Sequence, residues 1–457
     1  MSNWKVMKLS EVATIVGGGT PSSSKSEYFE NGNIPWITPK DLSGYNKRYI
    51  SKGERNITEL GLKNSSAKLL PKNTVLLTSR APIGYIAIAS NEISTNQGFK
   101  SLVLNDGHIP EFFYYLLKNN VHILESRATG STFKEISGQI LKDTELSIPT
   151  PDIQQKIVDI LSPLDDKIEL NTQINQTLEQ IAQALFKSWF VDFDPVRAKV
   201  EALSNGLSLE QAELAAMQTI SGKTPEELTA LSQTQPDRYA ELAETAKAFP
   251  CEMVEVDGVD VPKGWELSTI GEEVETVGGA TPSTKEESFW NNGKIAWTTP
   301  KDLSSATSPV LINTERKITE LGLKKISSGL LPISTVLLSS RAPIGYLALT
   351  KIPVAINQGY IAIKCNKTLS NFYMLQWCKE NLEEIKSRAS GTTFLEISKT
   401  TFRGISIIVP EKNILIMFNK QCESIYEIIT NHTKENQKLE KVRDLLLPRL
   451  LNGEIQL

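Results

Sequence analysis

Only three histidines and four cysteines occur in the 457 residues. Cys251, Cys365, Cys378 and Cys422 are scattered without a CxxC pair, which excludes a disulfide framework or zinc site of the usual spacing and leaves core or surface thiols. His108, His122 and His432 are not paired at metal-ligand spacing, so no metal and no catalytic triad is expected. Gly222-Lys223-Thr224 lacks the earlier glycine of a phosphate-wrapping loop, and Gly17-Gly18-Gly19 leads into Thr-Pro-Ser instead of a helix. An ATPase and a dinucleotide fold are therefore not indicated, and no Asn-Pro-Pro-Tyr-like methylation motor is present. No run approaches the ~18 to 20 consecutive apolar residues of a bilayer span, and the stretch from Met1 to Val12 has no leader pattern. A cytoplasmic chain is expected.

Strong net charge is missing too, at -4, but the average hides its distribution. Residues 1–150 hold 17 basic and 13 acidic side chains, and residues 261–410 hold the same 17 and 13. Residues 201–260 hold 3 basic against 12 acidic. Two mildly basic stretches are thus masked by an acidic insert, and such an excess makes a nucleic-acid footprint only if it clusters on one face.

What the chain does contain is a copy of itself. An offset of 261 residues aligns its first and last thirds without a gap, with roughly 40% identity from Trp4 to Pro149. Trp4 falls on Trp265, GGGTPS (17–22) on GGATPS (278–283), and Thr38–Leu42 (TPKDL) on Thr299–Leu303. ITELGLK recurs at Ile57 and Ile318, SRAPIGY at Ser79 and Ser340, and NQG at Asn96 and Asn357; GSTFKEIS from Gly130 answers GTTFLEIS from Gly391. A repeat of this length is too long for a solenoid unit and means two domains of one fold. Short β-branched runs such as Thr74–Ser79, Tyr85–Ala89 and Leu146–Pro149 predict strands, and Pro110–Asn120 and Ser370–Asn381 predict helices. The fold class is α+β.

After each copy the pattern changes. Asp152–Leu161 reads as helix, and Ser162–Asp166 (SPLDD) supplies a cap, a first-turn proline and two acids, which predicts a restarted helix. Leu164, Ile168, Leu178, Ile181 and Leu185 form one apolar stripe, and Ile425, Ile429, Leu439, Val442 and Leu446 form its counterpart. Two such helices most simply pack together, antiparallel given the duplication. Asn171, Asn175, His432 and Asn436 interrupt the stripes at matching places, either at their edge or as register-setting polar contacts. Between the first helix and the second copy, residues 201–260 contain short helical pieces and serve as a linker or a docking surface.

The candidate nucleic-acid residues are polar and loop-borne. The Thr20-Pro21-Ser22 turn, with Thr281 and Ser283, offers hydroxyls and amides; Lys25, Lys40, Lys134, Lys285 and Lys301 supply charge; Arg80 and Arg341 suit phosphate or guanine. Asn96-Gln97 and Asn357-Gln358 suit adenine. Thr38, Asp41, Thr299, Tyr85, Tyr346, Ser131, Thr132, Thr392 and Thr393 complete the duplicated set. Each of these also has a structural role open to it, and Trp36 and Trp297 read as core. Where the copies differ, Gly44–Ile50 carries Tyr45, Asn46, Lys47 and Arg48 against a bland Ser305–Leu311, and exchange of this loop is expected to alter one half-site.

The set GGTPS, WITPKDL, SRAPIGY, NQG, GSTF-EIS and the helix opening PDIQQKIVDIL resembles type I restriction-modification specificity subunits. The resemblance spans both repeats and both helices. It implies two target recognition domains, at 1–150 and 261–410, spaced by helices at 151–200 and 411–457, with 201–260 as an insert. It further implies one half of a split DNA site per domain, two methyltransferase subunits docked around the helices, and restriction subunits that join them. S-adenosylmethionine, ATP and Mg2+ are then expected on those partners, with no cofactor and no catalysis in this chain. The competing readings are a stand-alone nucleic-acid enzyme and a two-headed binding scaffold.

Overall fold

A computed structural model describes residues 4–80, 82–130, 134–304, 306–391 and 395–457. The chain divides into two units: Met1–Leu170 with Glu435–Leu457, and Asn171–Lys434.

In the first unit the module is closed by its own ends, Trp4–Lys8 pairing antiparallel with Glu145–Pro149. A five-stranded sheet runs Ala13–Gly17, Lys100–Leu104, Val75–Ser79, Ile83–Ala89, Tyr49–Ile50, and a three-stranded sheet runs Arg55–Ile57, Ile34–Ile37, Ser94–Thr95. Val75–Ser79 is buried throughout, as a central strand of continuous apolar character requires. The helix Pro110–Asn119 starts with its proline in the first turn and buries Phe112, Phe113, Tyr115 and Leu116 against the five-stranded sheet.

The second unit repeats this order strand for strand. Glu266–Thr269 pairs with Ser406–Val409, and the sheets run Glu275–Gly278, Tyr360–Lys364, Val336–Ser339, Leu347–Thr350, Val310–Leu311 and Arg316–Ile318, Ile295–Thr298, Ala355–Ile356. Even the register is kept, Trp36 facing Arg55 and Trp297 facing Arg316. The α+β class and the two like domains follow.

Each long helix has 40 residues, Pro151–Phe190 and Lys412–Leu451, hence about 60 Å. The predicted restart at Ser162–Asp166 does not occur: the first helix runs through Pro163. A mid-helix proline costs ~3 kcal/mol. Its neighbours offset that cost, because Leu161 is fully buried and Asp165 and Asp166 are held by Tyr115, Arg443 and Arg48. In the first unit Asp165 meets Arg443 at 2.7 Å and Ile168 O meets Asn436 at 3.3 Å. In the second, Asn175 meets His432 at 3.0 Å and Glu179 meets Tyr426 at 3.0 Å. Rising numbers on one helix meet falling numbers on the other, so the pairing is antiparallel in both units.

Two predicted stripe residues are corrected. Ile181 is 50% and Val442 45% exposed, while Ala182, Phe186 and Leu447 are buried instead. The buried face is rotated by about one residue from the expected stripe at these points. The neighbouring modules also claim helix surface, which a pattern for two helices alone does not anticipate. Asn171 and Asn175 lie inside the buried face, at 0% and 3% exposure, and not at its edge.

The insert is a folded part of the second unit. Helices Asp194–Ser204, Leu209–Ser221, Pro225–Thr234 and Pro236–Ala248 precede a hairpin of Met253–Val256 and Val259–Pro262. Ser208 and Thr224 cap two of them with capping boxes. Lys199 is buried and donates from Nζ to the carbonyls of Ala246 (3.0 Å) and Phe249 (2.6 Å), closing the end of the last helix. Phe186, Trp189, Phe190 and Phe193 pack with Phe249, Trp265, Tyr373 and Phe418, so the aromatic run FKSWFVDF is core.

Candidate nucleic-acid interface

The duplicated motifs that are far apart in sequence meet on one rim of each module. The chain leaves Ala13–Gly17 and passes so close to the NQG segment that a Cβ at Gly18 would lie 2.0 Å from the Asn96 carbonyl oxygen. Gly279 is equally confined, 2.0 Å from the Ile356 carbonyl oxygen. The Gly19 amide then donates to Thr95 O at 2.9 Å, and the Ala280 amide to Ile356 O at 3.0 Å. This close approach brings the Thr20 hydroxyl onto Gln97 Oε1 and the Thr281 hydroxyl onto Gln358 Oε1, the latter at 2.7 Å. All four side chains are exposed, and the hydroxyl takes only one of the two lone pairs of each Oε1, which leaves the other lone pair and the Nε2 donors of each amide available.

The neighbours divide into scaffold and free surface. Asn96 and Asn357 accept from the Gly98 and Gly359 amides at 2.8 and 2.9 Å, forming the turn that presents the glutamine. Asp41 accepts from the Thr38 amide (2.7 Å), the Thr38 hydroxyl (2.6 Å) and the Glu54 amide (2.7 Å); Asp302 does the same for Thr299 and Glu315. These carboxylates, and the threonines bound to them, are structural and do not offer themselves to a base. Pro21 is buried and shapes its turn. Lys40 pairs with Glu54 at 2.8 Å and Lys301 with Glu315 at 3.5 Å. Arg80 lies 3.5 Å from Glu135, and Arg341 lies 3.6 Å from Glu396. Tyr85 and Tyr346 are half-buried against the sheets. Lys25 donates to the Tyr28 phenol at 3.1 Å and, like Ser22, Ser283, Lys134 and Lys285, is exposed. Ser131, Thr132, Thr392 and Thr393 lie outside the described residues, as does Ser305 of the second loop.

The variable loop is not part of this rim. Arg48 is only 8% exposed and donates to Asp166 (2.6 Å) and Tyr115 (3.1 Å); Lys47 pairs with Glu169 at 3.2 Å; the Tyr45 phenol donates to Tyr49 O. Burial, reinforced by the Glu111 carboxylate, pushes the Tyr49 phenol up to about 12. Of the four residues expected to read bases, Asn46 alone remains unengaged by the helix or the loop itself among the described contacts. A loop that lies along a helix satisfies its cations on that helix's acids, which sequence difference alone does not reveal.

A further duplicated pair, outside the motifs above, is Arg55 and Arg316. Arg55 stacks 4.1 Å above the Phe29 ring, and Arg316 stacks 3.7 Å above Trp290. Their signal was available: the dipeptide Glu-Arg at 54–55 repeats at 315–316, and aromatics occupy both 29 and 290. Among the described residues there is no group of three or more potential metal ligands, and no helix is long and apolar enough to cross a membrane.

Comparisons with known proteins agree with this architecture. The model of the type I restriction modification DNA specificity domain matches residues 1–180 and 262–444. The chain is 41% identical to the type I restriction enzyme HindI specificity subunit of Haemophilus influenzae, covering 100% of both. It is 33% identical to the MjaIX specificity subunit of Methanocaldococcus jannaschii, over 99% of this chain and 94% of that one. In fold it is similar to a solved type I S subunit from M. genitalium, at 17% identity and a TM-score of 0.54, covering 98% and 96% of the two chains. With duplicated modules, paired long helices and matches that span both, the chain belongs to the family of non-catalytic specificity subunits of type I restriction-modification systems.

Proposed function

We propose that each module reads one half of a split DNA site through its Thr–Gln rim, and that the helices set the distance between the halves. In this reading the domains are 1–150 and 261–410, the spacers 151–200 and 411–457, and 201–260 a folded insert. Methyltransferase subunits, two of them, and restriction subunits dock onto the chain in the cytoplasm and bring S-adenosylmethionine, ATP and Mg2+ with them. The observation that carries the reading is the rim itself: Thr20 on Gln97 and Thr281 on Gln358, exposed and alike in two modules that otherwise share about 40% of their residues. An amide held by a neighbouring hydroxyl loses little rotamer freedom on binding, which favours bidentate contact with a base edge. The mild basic excess of each module, 17 cations against 13 anions, supports approach to phosphates.

The test is methylome sequencing of cells that express this chain with its methyltransferase partner. A motif of two short defined halves separated by a fixed number of undefined bases is expected. A continuous motif, or none, would refute the reading. The purified chain alone, given S-adenosylmethionine and duplex DNA, is expected to transfer no methyl group.

A further inference from the structure

We propose that Arg55 and Arg316 are equivalent backbone-phosphate contacts, one per module, held ready by the aromatic stacks beneath them. The inference rests on the DNA-reading function proposed above and adds to it a site outside the recurrent Thr–Gln rim.

The first argument is availability. Two other cation pairs repeated at this end of the modules are already neutralised, Lys40 and Lys301 by Glu54 and Glu315, Arg80 and Arg341 by Glu135 and Glu396. Arg55 and Arg316 are exposed, and among the described residues neither guanidinium has an ion pair or hydrogen bond, only ring contacts, Arg55 with Phe29 and Arg316 with Trp290 and Trp297. A guanidinium held over an aromatic face keeps forked N–H donors at its own edge for a ligand, and loses little freedom when it meets a phosphate.

The second argument is connection to the rim. Phe29 packs edge-on to Trp36 with centroids 6.0 Å apart, and Trp36 Nε1 donates to Gly19 O at 3.0 Å, one residue before Thr20. In the second module Trp290 packs edge-on to Trp297 at 5.0 Å, Trp297 Nε1 donates to Ala280 O at 3.2 Å, and Trp290 Nε1 donates to Ser283 O at 2.9 Å. Each arginine thus sits on the same stack that positions the threonine turn.

The third argument is distance. Arg55 lies on the strand two places from Ser94–Thr95, which leads directly into Asn96-Gln97, and Arg316 is placed identically. Two strand spacings amount to about 10 Å. A major groove about 12 Å wide and about 8.5 Å deep puts base edges and the phosphate wall on the order of 10 Å apart. A glutamine at the base edge and an arginine on the wall fit that geometry together.

The experiment uses the full chain assembled with its methyltransferase partner, on a duplex bearing its methylated motif, with affinity measured across a salt series. R55A and R316A are each expected to lower the salt slope of log K by about 0.9 and to weaken binding about fivefold at 0.15 M salt, the slope changes adding and the fold-losses multiplying in the double variant. The loss should be the same on a duplex without the motif, and the methylated sequence should not change. R55Q, which keeps a planar group on the Phe29 ring, is expected to match R55A, so lost charge is separated from lost packing; R55K is expected to retain the slope. An unchanged slope in R55Q and R316A, in a complex whose wild type does methylate a split motif, would overturn the phosphate role alone. So would an altered motif, which would make the arginines base readers, or a loss traced to weaker capture of the methyltransferase. A wild-type complex with no salt-dependent DNA binding would overturn this inference together with the reading beneath it.

Discussion

Arg48 and Asp166 meet at 2.6 Å, with the Arg48 guanidinium also donating to the Tyr115 phenol at 3.1 Å. Tyr115 in turn donates to Asp165 at 2.6 Å, which accepts from Arg443 at 2.7 Å. Loop, module helix and both long helices of the first unit are therefore tied at one polar joint. The second unit closes the same joint with other residues, Gln376 donating to the Tyr426 phenol at 2.8 Å and Tyr426 to Glu179, which also pairs with Lys379.

R48A removes two bonds, one of them to a carboxylate that remains largely hydrated. A loss of about 2 kcal/mol is expected, since charge-assisted bonds contribute ~1.5–3 kcal/mol. Denaturant titration of the purified chain measures it. The methylated motif should stay as it was; a changed first half-site with undiminished stability would return this loop to the reading face.

Substituting the rim glutamines should act on one half-site at a time. Q97A is expected to relax the first half and Q358A the second, each by ~1–3 kcal/mol of base discrimination. T281V, which frees Gln358 from its 2.7 Å partner, should relax the second half less than Q358A does. Sequencing of the methylated sites separates the two halves in a single measurement.

Asn175 is almost fully buried and faces His432 at 3.0 Å. N175L deprives the imidazole of that partner, and a cost of about 1–2 kcal/mol is expected. The double variant N175L/H432L should recover most of it, because removing both partners leaves no unmet polar group. Asn436, which donates to Ile168 O at 3.3 Å, is a second polar contact between the helices, and N175L combined with N436L should broaden the distance distribution in small-angle scattering; an unchanged distribution would count against a register-setting role for these residues.

The half-buried His108 gives the first unit a pH dependence. Burial holds its imidazole below the ordinary 6.5, and Gln154 Nε2 lies 3.3 Å from its Nδ1. Gln154 is itself fully buried and committed, accepting from the Ile109 amide at 3.1 Å and donating to Pro149 O at 2.9 Å. As pH falls through 6.5 the unfolded chain takes up the proton first, so stability present above 6.5 is lost progressively below it. Melting temperature should fall across that window, and H108N should flatten the fall; an equal slope in H108N would assign it to other groups.

Much of the fold was legible because a duplicated sequence states its domains twice. The 261-residue offset defined two like modules, and β-branched runs between turn residues marked strands such as Val75–Ser79 in both. The rim was legible only as a parts list. TPS, TPKDL and NQG were visible, yet nothing local separates Asp41, which closes a turn, from Gln97, which faces solvent: both are polar residues in a loop. Arg48 misled for the same reason, since a cation in a variable loop looks like a reader until the acids of the helix beside it are known.

Composition, periodicity and repetition thus determined the class of the fold, the two modules and the presence of two amphipathic helices, because those follow from which residues stand near one another along the chain. Tertiary structure decided which polar groups remain free. The proline at 163 is tolerated, the apolar stripe turns past Ile181 and Val442, and Arg55 is left with open donors while Arg80 is not, each through partners from distant segments. The physical reason is that satisfaction of a hydrogen bond or a charge is a property of the space around a group, and that space is assembled only when the chain folds.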